Sequence, residues 1–236
     1  MWLTATYRPT TLFSLKASSA TSSGGKSLLA PTPFAVKMAL LDSAFRLWGV
    51  GEARRRWPTI RDRTVAVAVP ERAVVTNLFQ KVLKPRRNPA APGTRHAGPL
   101  QQTIAFREYV FYAGDLGLAI DIPPDKGVGW LGDLLLQINS LGKRGSFLQL
   151  AAPPQMFEEL PATFVVVDGA LPASFDLNST LQQLDDCTPQ LSFDKANIYS
   201  GQRITLGRDR VLHPVFLPYK IIRTSKTFTS YDRADL

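Results

Sequence analysis

Residues 24–51, GGKSLLAPTPFAVKMALLDSAFRLWGVG, constrain the fold more than any other stretch of the chain. A glycine pair and one lysine lead into a helix with start and stop signals of its own. Thr32 suits the N-cap, Pro33 the first helical position, and Gly49 the C-terminal stop. Phe34, Met38, Leu41, Phe45 and Trp48 follow a 4-3-4-3 spacing and share one helix face, while Val36, Leu40 and Leu47 add a second apolar flank. Asp42, Ser43 and Arg46 make the clear polar sector. A helix apolar over most of its circumference has to be covered on most sides. The spacing therefore predicts a central helix over about 33–48, packed on a sheet, with the glycine–lysine loop entering it and an arginine-rich connector, 49–63, leaving it.

Around this helix the chain reads as alternating elements. Residues 2–7 alternate as a half-buried strand, with Leu3, Ala5 and Tyr7 on one side. Residues 17–26 are serine- and glycine-rich and read as a loop. Residues 64–69 form a β-branched strand that Pro70 ends, and 73–83 suits a short strand or helix. Residues 84–98, KPRRNPAAPGTRHAG, are basic and proline-rich with almost no apolar anchors, so they are expected to project as an arm or to be disordered when alone. Strands follow at 103–112 and 116–122 around the turn Ala113-Gly114-Asp115. Asp125 suits the cap of a helix running to about Leu141, although Gly127, Gly129 and Gly132 weaken its first turns. A strand follows at 146–151. With the insertion 70–103 set aside, the order is βαββαβ, that of the ferredoxin-like fold also used by RNA-recognition motifs. The predicted class is α+β: a ferredoxin-like domain over 1–152, then a β-rich extension over 153–236 with strands at 163–167, 191–193, 198–206 and 211–222.

Composition narrows the function classes. In 236 residues, 44% are hydrophobic and 20% charged, which supports a real core. No apolar run reaches the roughly 18–20 residues of a membrane span, and the alternation over 1–8 is not that of a signal peptide. Cys187, the one cysteine, excludes an internal disulfide and any CxxC metal site and fits a reducing cytoplasm. Between Glu52 and Arg107 stand twelve Lys/Arg and three Asp/Glu, so this quarter of the chain holds the whole net charge of +9. Ten of the twelve are arginine, which forks onto phosphates. Such segregation is the footprint of a polyanion partner, the alternative being a solvated basic face.

Several motifs together resemble a known family. The N-terminal strand, the loop GGKSLLAPTP, a helix ending in LWG, Arg107-Glu108-Tyr109 opening a strand, and LGKRGSF at 141–147 are similar to the CRISPR-associated Cas-five family, a branch of the RAMP superfamily. The similarity covers about 1–151. It implies a subunit of a type I Cascade effector complex that grips the 5′ handle of the CRISPR RNA, caps that end of the backbone filament and touches the large subunit. It makes the insertion a thumb reaching towards the neighbouring backbone subunit, with Lys81, Lys84, Arg86, Arg87 and Arg95 as partner or nucleic-acid contacts. Such a subunit is also expected to meet target DNA near the protospacer-adjacent motif.

The residues themselves point to RNA by the same chemistry: arginines, exposed amides and stacking aromatics grip splayed nucleotides. Gly24, Gly25 and Lys26 form a candidate anion cradle, or an ordinary flexible loop. Arg54, Arg55, Arg56 and Arg61 follow the central helix, and Arg107 sits on an aromatic strand where Glu108 or Asp115 are alternative partners. Lys143 and Arg144 lie between two glycines that let a backbone approach a phosphate; bases there also suit a helix C-terminus. Tyr7 and Phe106 could stack on bases, but each better suits a core.

Catalysis has fewer signals. Some members of the family cut precursor RNA without metal, chemistry that uses tyrosine, lysine and histidine. Here His213 lies in a strand-like Leu-His-Pro and His96 in the arm, and there is no Lys-His pair. Asp185-Asp186 and Glu158-Glu159 have no histidine nearby, no Gly-x-Ser-x-Gly elbow occurs, and Gly25-Lys26-Ser27 lacks the first glycine of a P-loop. The reading is a non-catalytic RNA-binding subunit without cofactor or metal; a metal-independent endoribonuclease and a basic module of another ribonucleoprotein are the alternatives.

Overall fold

The computed structural model describes residues 1–18, 24–88, 90–95, 97–123, 127, 129–143, 145–170 and 179–234. The alternating segment at the N-terminus forms β1 (Trp2–Pro9), and the two glycines that follow form β2 (Gly24–Gly25). Then come α1 (Pro33–Arg61), β3 (Val65–Ala68), β4 (Arg72–Pro85), β5 (Leu100–Ala113), β6 (Leu116–Asp121), α2 (Trp130–Leu136) and β7 (Leu148–Phe157). The remainder supplies β8 (Val165–Val166), β9 (Thr180–Cys187), α3 (Phe193–Ala196), a 3-10 turn at Ile198–Ser200, β10 (Arg210–Leu217), β11 (Tyr219–Thr224) and β12 (Phe228–Arg233).

This is a mixed α/β chain with antiparallel sheets. The first sheet has the order β7-β1-β6-β3-β8 with every neighbouring pair antiparallel. The second has the order β11-β12-β4-β5-β2, in which only the short β2–β5 pair is parallel, and β9 and β10 form a ribbon of two. β4 and β5 pair along their whole length, from Arg72–Ala113 at the base to Pro85–Leu100 at the tip, as one long hairpin. Proline at 153 and 154 is tolerated in β7 because both fall where its pairing with β1 shifts register, between Ala152 and Gln155, on an edge strand. No helix among the described residues is long and apolar enough to cross a membrane.

The central helix departs from its expected form in two ways. Thr32 caps it, accepting from the Ala35 N–H at 3.1 Å. Gly49, at φ +76°, interrupts it where a stop was expected, yet the chain turns helical again to Arg61 rather than leaving as a connector. Ala53, Trp57 and Ile60 explain this: they are spaced along one face and fully buried, at roughly 1.5–3 kcal/mol for each large side chain. The face turned to the core also differs. Val36, Leu40, Leu41 and Ala44 are buried, whereas Phe34, Met38, Phe45 and Trp48 are half-buried and Leu47 is exposed. The larger side chains turn instead to neighbours beside the helix: Trp48 meets Trp130 edge-on, and Phe45 meets Phe193.

Other expectations change for reasons of pairing. Residues 24 and 25, read as loop, add to β5 as a parallel strand opposite Phe106 and Arg107. The 73–83 segment is strand, not helix, and the arm between the hairpin strands closes through the Arg86 N–H to Pro99 carbonyl bond. Gly114, at φ +102°, turns a corner, so β5 and β6 enter different sheets instead of forming a hairpin. The second helix is only 130–136; its expected cap, Asp125, lies outside the described residues, and Ile138 and Leu141 are buried without being helical.

In the C-terminal third, 191–193 and 198–206 are not strands, because Ser192 caps α3 and Asn197 caps the 3-10 turn. The 211–222 segment divides at Pro218 into β10 and β11, which join different sheets. β9, whose sequence TLQQLDDC carries no alternation of β-branched residues, was not expected at all; pairing with β10 makes it a strand. The extension is β-rich as expected, and its strands are shared out: β8 pairs with β3, and β12 pairs with β4.

Candidate nucleic-acid interface

A groove of about 660 Å³ opens beside the first half of α1. The helix contributes Phe34, Met38, Asp42 and Arg46, four residues at successive i+4 positions and hence one stripe. Facing this stripe are Lys16, Gly25 of β2, Arg107 of β5, the loop residues 138–143 and 145–147 with Gly142, Lys143, Gly145 and Phe147, and the pair Asp185 and Arg210 from β9 and β10.

The loop is held in place by hydrogen bonds to the segment after β1. The Thr11 hydroxyl donates to the Gly145 carbonyl at 2.8 Å and accepts from the Phe147 N–H at 2.7 Å. The Thr10 N–H reaches the Phe147 carbonyl at 3.1 Å, and the Ser14 N–H reaches the Ser146 hydroxyl at 3.2 Å. Gly142 has φ +73°, and a Cβ there would stand 2.8 Å from Leu15 Cδ2, so this turn needs glycine on both counts. The result is a pinned loop that holds Lys143 in solvent at the mouth of the groove.

Cations outnumber carboxylates: Lys16, Arg46, Arg107, Lys143 and Arg210 against Asp42 and Asp185. Arg46 is oriented by Asp42 at 2.9 Å and by the Gln137 carbonyl at 2.7 Å. Lys16 and Lys143 are exposed and form no ion pair among the described residues. Arg210 lies deepest. It pairs with the buried Asp185, its guanidinium carbon sits 3.7 Å from the Phe34 ring centroid, and its Nε has no hydrogen-bond partner. Burial pushes the Arg210 guanidinium down to about 10, still cationic at neutral pH.

Of the residues singled out from sequence, the groove collects Gly25, Arg107 and Lys143. Gly24 is held in β2 opposite Phe106, and Lys26 lines a separate polar cleft with Phe106, Glu108, Gln183 and Tyr231. Glu108 there accepts from the Ser27 N–H at 2.7 Å. Arg144 and His96 lie outside the described residues. Arg54, Arg55, Arg56 and Arg61 are not brought to the groove; they lie on the second half of α1 and are engaged within the chain. Arg54 pairs with Asp194 at 2.5 Å over the Phe193 ring, and Arg55 and Arg56 share Glu52. Arg56 lies against both Trp48 and Trp130, in the corner that their rings form, and Arg61 pairs with Asp62 at 2.7 Å. Lys81, Lys84, Arg86, Arg87 and Arg95 cluster on the outer part of the hairpin and its loop. Tyr7 is core, donating to the Leu135 carbonyl at 2.8 Å.

Sequence reasoning missed Lys16, Arg46, Phe147 and Arg210. The i+4 row from Phe34 to Arg46 was a usable signal, since it runs from apolar to charged along one face. Nothing in the sequence linked that row to Arg210.

No protein-family profile matches the chain. CRISPR-associated protein Cas5 of Archaeoglobus fulgidus is 24% identical over 205 residues, covering 85% of this chain and 86% of that protein. Two solved structures overlay on 99% of this chain and 92% of theirs at 10% identity. One, described as a CRISPR protein from Archaeoglobus fulgidus, gives a TM-score of 0.42; the other, described as a CRISPR RNA-guided surveillance complex, gives 0.48. Neither score reaches 0.5, too low to establish a shared fold. The sequence match extends well past residue 147, where the last of the motifs GGKSLLAPTP, REY and LGKRGSF ends, and by it this chain has a homologue in CRISPR-associated protein Cas5.

Proposed function

We propose that the chain is a non-catalytic subunit of a type I CRISPR effector complex of the Cascade kind. In this reading it binds and caps the 5′ handle of the CRISPR RNA, contacts the backbone and large subunits, and meets target DNA near the protospacer-adjacent motif, in the cytoplasm. The observation that carries it is the groove: five cations on a partly apolar floor, beside backbone at Gly25, Gly142 and Gly145 where no side chain stands between a phosphate and the amides. The homology to Cas5 supports the same reading.

The strand order supports a RAMP-type palm. With α1 between β1 and β3, and α2 between β6 and β7, the antiparallel order β7-β1-β6-β3 is that of a ferredoxin-like βαββαβ sheet. The β4–β5 hairpin, inserted between β3 and β6, is then the thumb. Its register puts Phe79, Leu83, Ile104 and Leu100 on one exposed face, an apolar patch suited to a neighbouring subunit. The absence of catalysis is also proposed: His213 sits in β10 opposite Leu184, packs against Gly169 and is not among the groove residues.

Co-expression with the other subunits and a CRISPR array tests the assignment. The chain is expected to purify with the complex and to protect the 5′ end of the guide from nuclease. Purification free of both RNA and backbone subunit would refute it. Repeat RNA incubated with the pure protein in EDTA is expected to stay intact, and cleavage would overturn the non-catalytic part.

A further inference from the structure

We propose that the outer face of the second sheet is a stacking platform for single-stranded nucleic acid, independent of sequence. It goes beyond the handle-binding reading, because the site lies off the groove. The pairing register decides which side chains share this face. Val74 stands opposite Phe111 and Ser230, and Thr76 stands opposite Tyr109 and Phe228. The alternate residues Ala73, Val75, Val110 and Tyr112 turn the other way and are buried. Phe111 is 50% exposed, and Tyr109 and Phe228 are half-buried, so three rings reach the surface on one face. Tyr109 and Phe111 are two residues apart on β5, hence about 7 Å, with room for a base on each ring. Phe228 lies across β4 from Tyr109, about 10 Å away at two strand spacings. Val74, Thr76 and Ser230 separate the rings, so they are not massed into one apolar patch of the kind that a protein partner buries.

Charge favours the same occupant. Arg223, exposed and without an ion pair among the described residues, stands opposite Ser230 with its guanidinium carbon 5.7 Å from the Phe228 ring centroid. Lys220, also exposed, stands opposite Asp232. Asp232 is the one carboxylate on this face of β4, β5, β11 and β12, and Arg72 already takes it at 2.6 and 3.0 Å. At the β5 edge Arg107, opposite Leu78, also lines the groove, so a strand leaving the groove meets this face. Rings for bases, with cations beside them for phosphates, are how an open sheet grips a single strand.

Unstructured oligo-U and oligo-dT without handle sequence are titrated against the full chain, its fold checked by melting curves. At least one is expected to bind, and Phe111→Ala and Tyr109→Ala each to weaken binding about fivefold or more, the scale of one lost base stack. Arg223→Gln should flatten the slope of log K against log salt by about 0.7. Tyr199→Ala, which removes an exposed ring on the 3-10 turn, should change neither. Iodouridine cross-linking to the wild type, which depends on no variant, should mark Tyr109, Phe111 or Phe228. The preferred oligonucleotide tells whether the strand is RNA or DNA, and either supports the platform. Binding lost in Lys143→Gln but kept in the ring variants belongs to the groove and overturns the platform. Ring variants that bind as before but no longer purify with the backbone subunit overturn it as well, in favour of a protein contact. No binding of either oligonucleotide also overturns it, and handle RNA still bound then leaves the handle-binding reading standing.

Discussion

Lys37 is the least expected side chain in the helix that organises the chain. It is buried, and its Nζ reaches Asp186 at 2.6 Å. Removing one partner of a buried pair strands the other charge, whereas replacing both with apolar groups is often neutral. Lys37→Ala is therefore expected to cost about 3–5 kcal/mol in urea unfolding, and Lys37→Met with Asp186→Leu to recover most of it. A single variant as stable as the wild type would show that the pair contributes nothing. Asp209 makes a second residue-level case. Its fully buried carboxylate accepts from Lys195 Nζ at 2.7 and 2.8 Å and from the Thr205 N–H at 2.8 Å. The Lys195 hydrogen bond, ahead of the opposing effect of burial, holds this carboxyl below the ordinary aspartate value. A depressed folded pKa adds stability above the unfolded value of about 3.9 that is lost as pH falls through the lower folded one. Melting temperature should fall more steeply for the wild type than for Lys195→Met below about pH 4. Parallel curves would remove Asp209 from the account.

At the scale of elements, the joint at Gly49 shows how α1 serves two surroundings. The first half lines the groove and the second buries Trp57 and Ile60, and the left-handed glycine lets the two halves differ in direction. A Cβ at Gly49 would meet no atom within 4 Å, so the cost of Gly49→Ala is backbone strain alone. It is expected at about 1–3 kcal/mol, because positive φ with extended ψ is open essentially to glycine alone, and is read as a lowered denaturation midpoint with an unchanged slope. An unchanged midpoint would mean that the joint relaxes into a continuous helix. The hairpin is the other element with two characters. Near its base, Ala73, Val75, Val110 and Tyr112 belong to the core, and further out the same face is exposed at Phe79 and Ile104. One alternation thus serves as core at one end and as open surface at the other, which a strand pattern by itself does not distinguish.

Over the whole molecule, charge that is continuous in sequence divides in space. Five arginines on and just after the second half of α1 pair with Glu52, Asp62, Asp121 and Asp194, and Arg72 pairs with Asp232. The basic excess is thereby left to the hairpin tip and the groove. If the groove's exposed cations, Lys16, Arg46 and Lys143, meet RNA phosphates, log K against log salt should fall with a slope of about −2, at roughly 0.7 per phosphate on a single strand. Lys16→Gln and Lys143→Gln should each flatten that slope by about 0.7, and a wild-type slope near zero would exclude phosphate contact at the groove. The sequence alone determined the elements with a strong local signal: β1, the capped start of α1, the β-branched β3, the aromatic β5, and the segregation of charge. Tertiary structure alone decided which face of α1 meets the core, how the last strands divide between two sheets, and that Arg210 lies over Phe34. The reason is physical. Periodicity records that a face is apolar, and capping records where a helix begins, because both depend on neighbours a few residues away. What covers a face depends on partners more than a hundred residues distant, brought there by strand pairing that leaves no local mark.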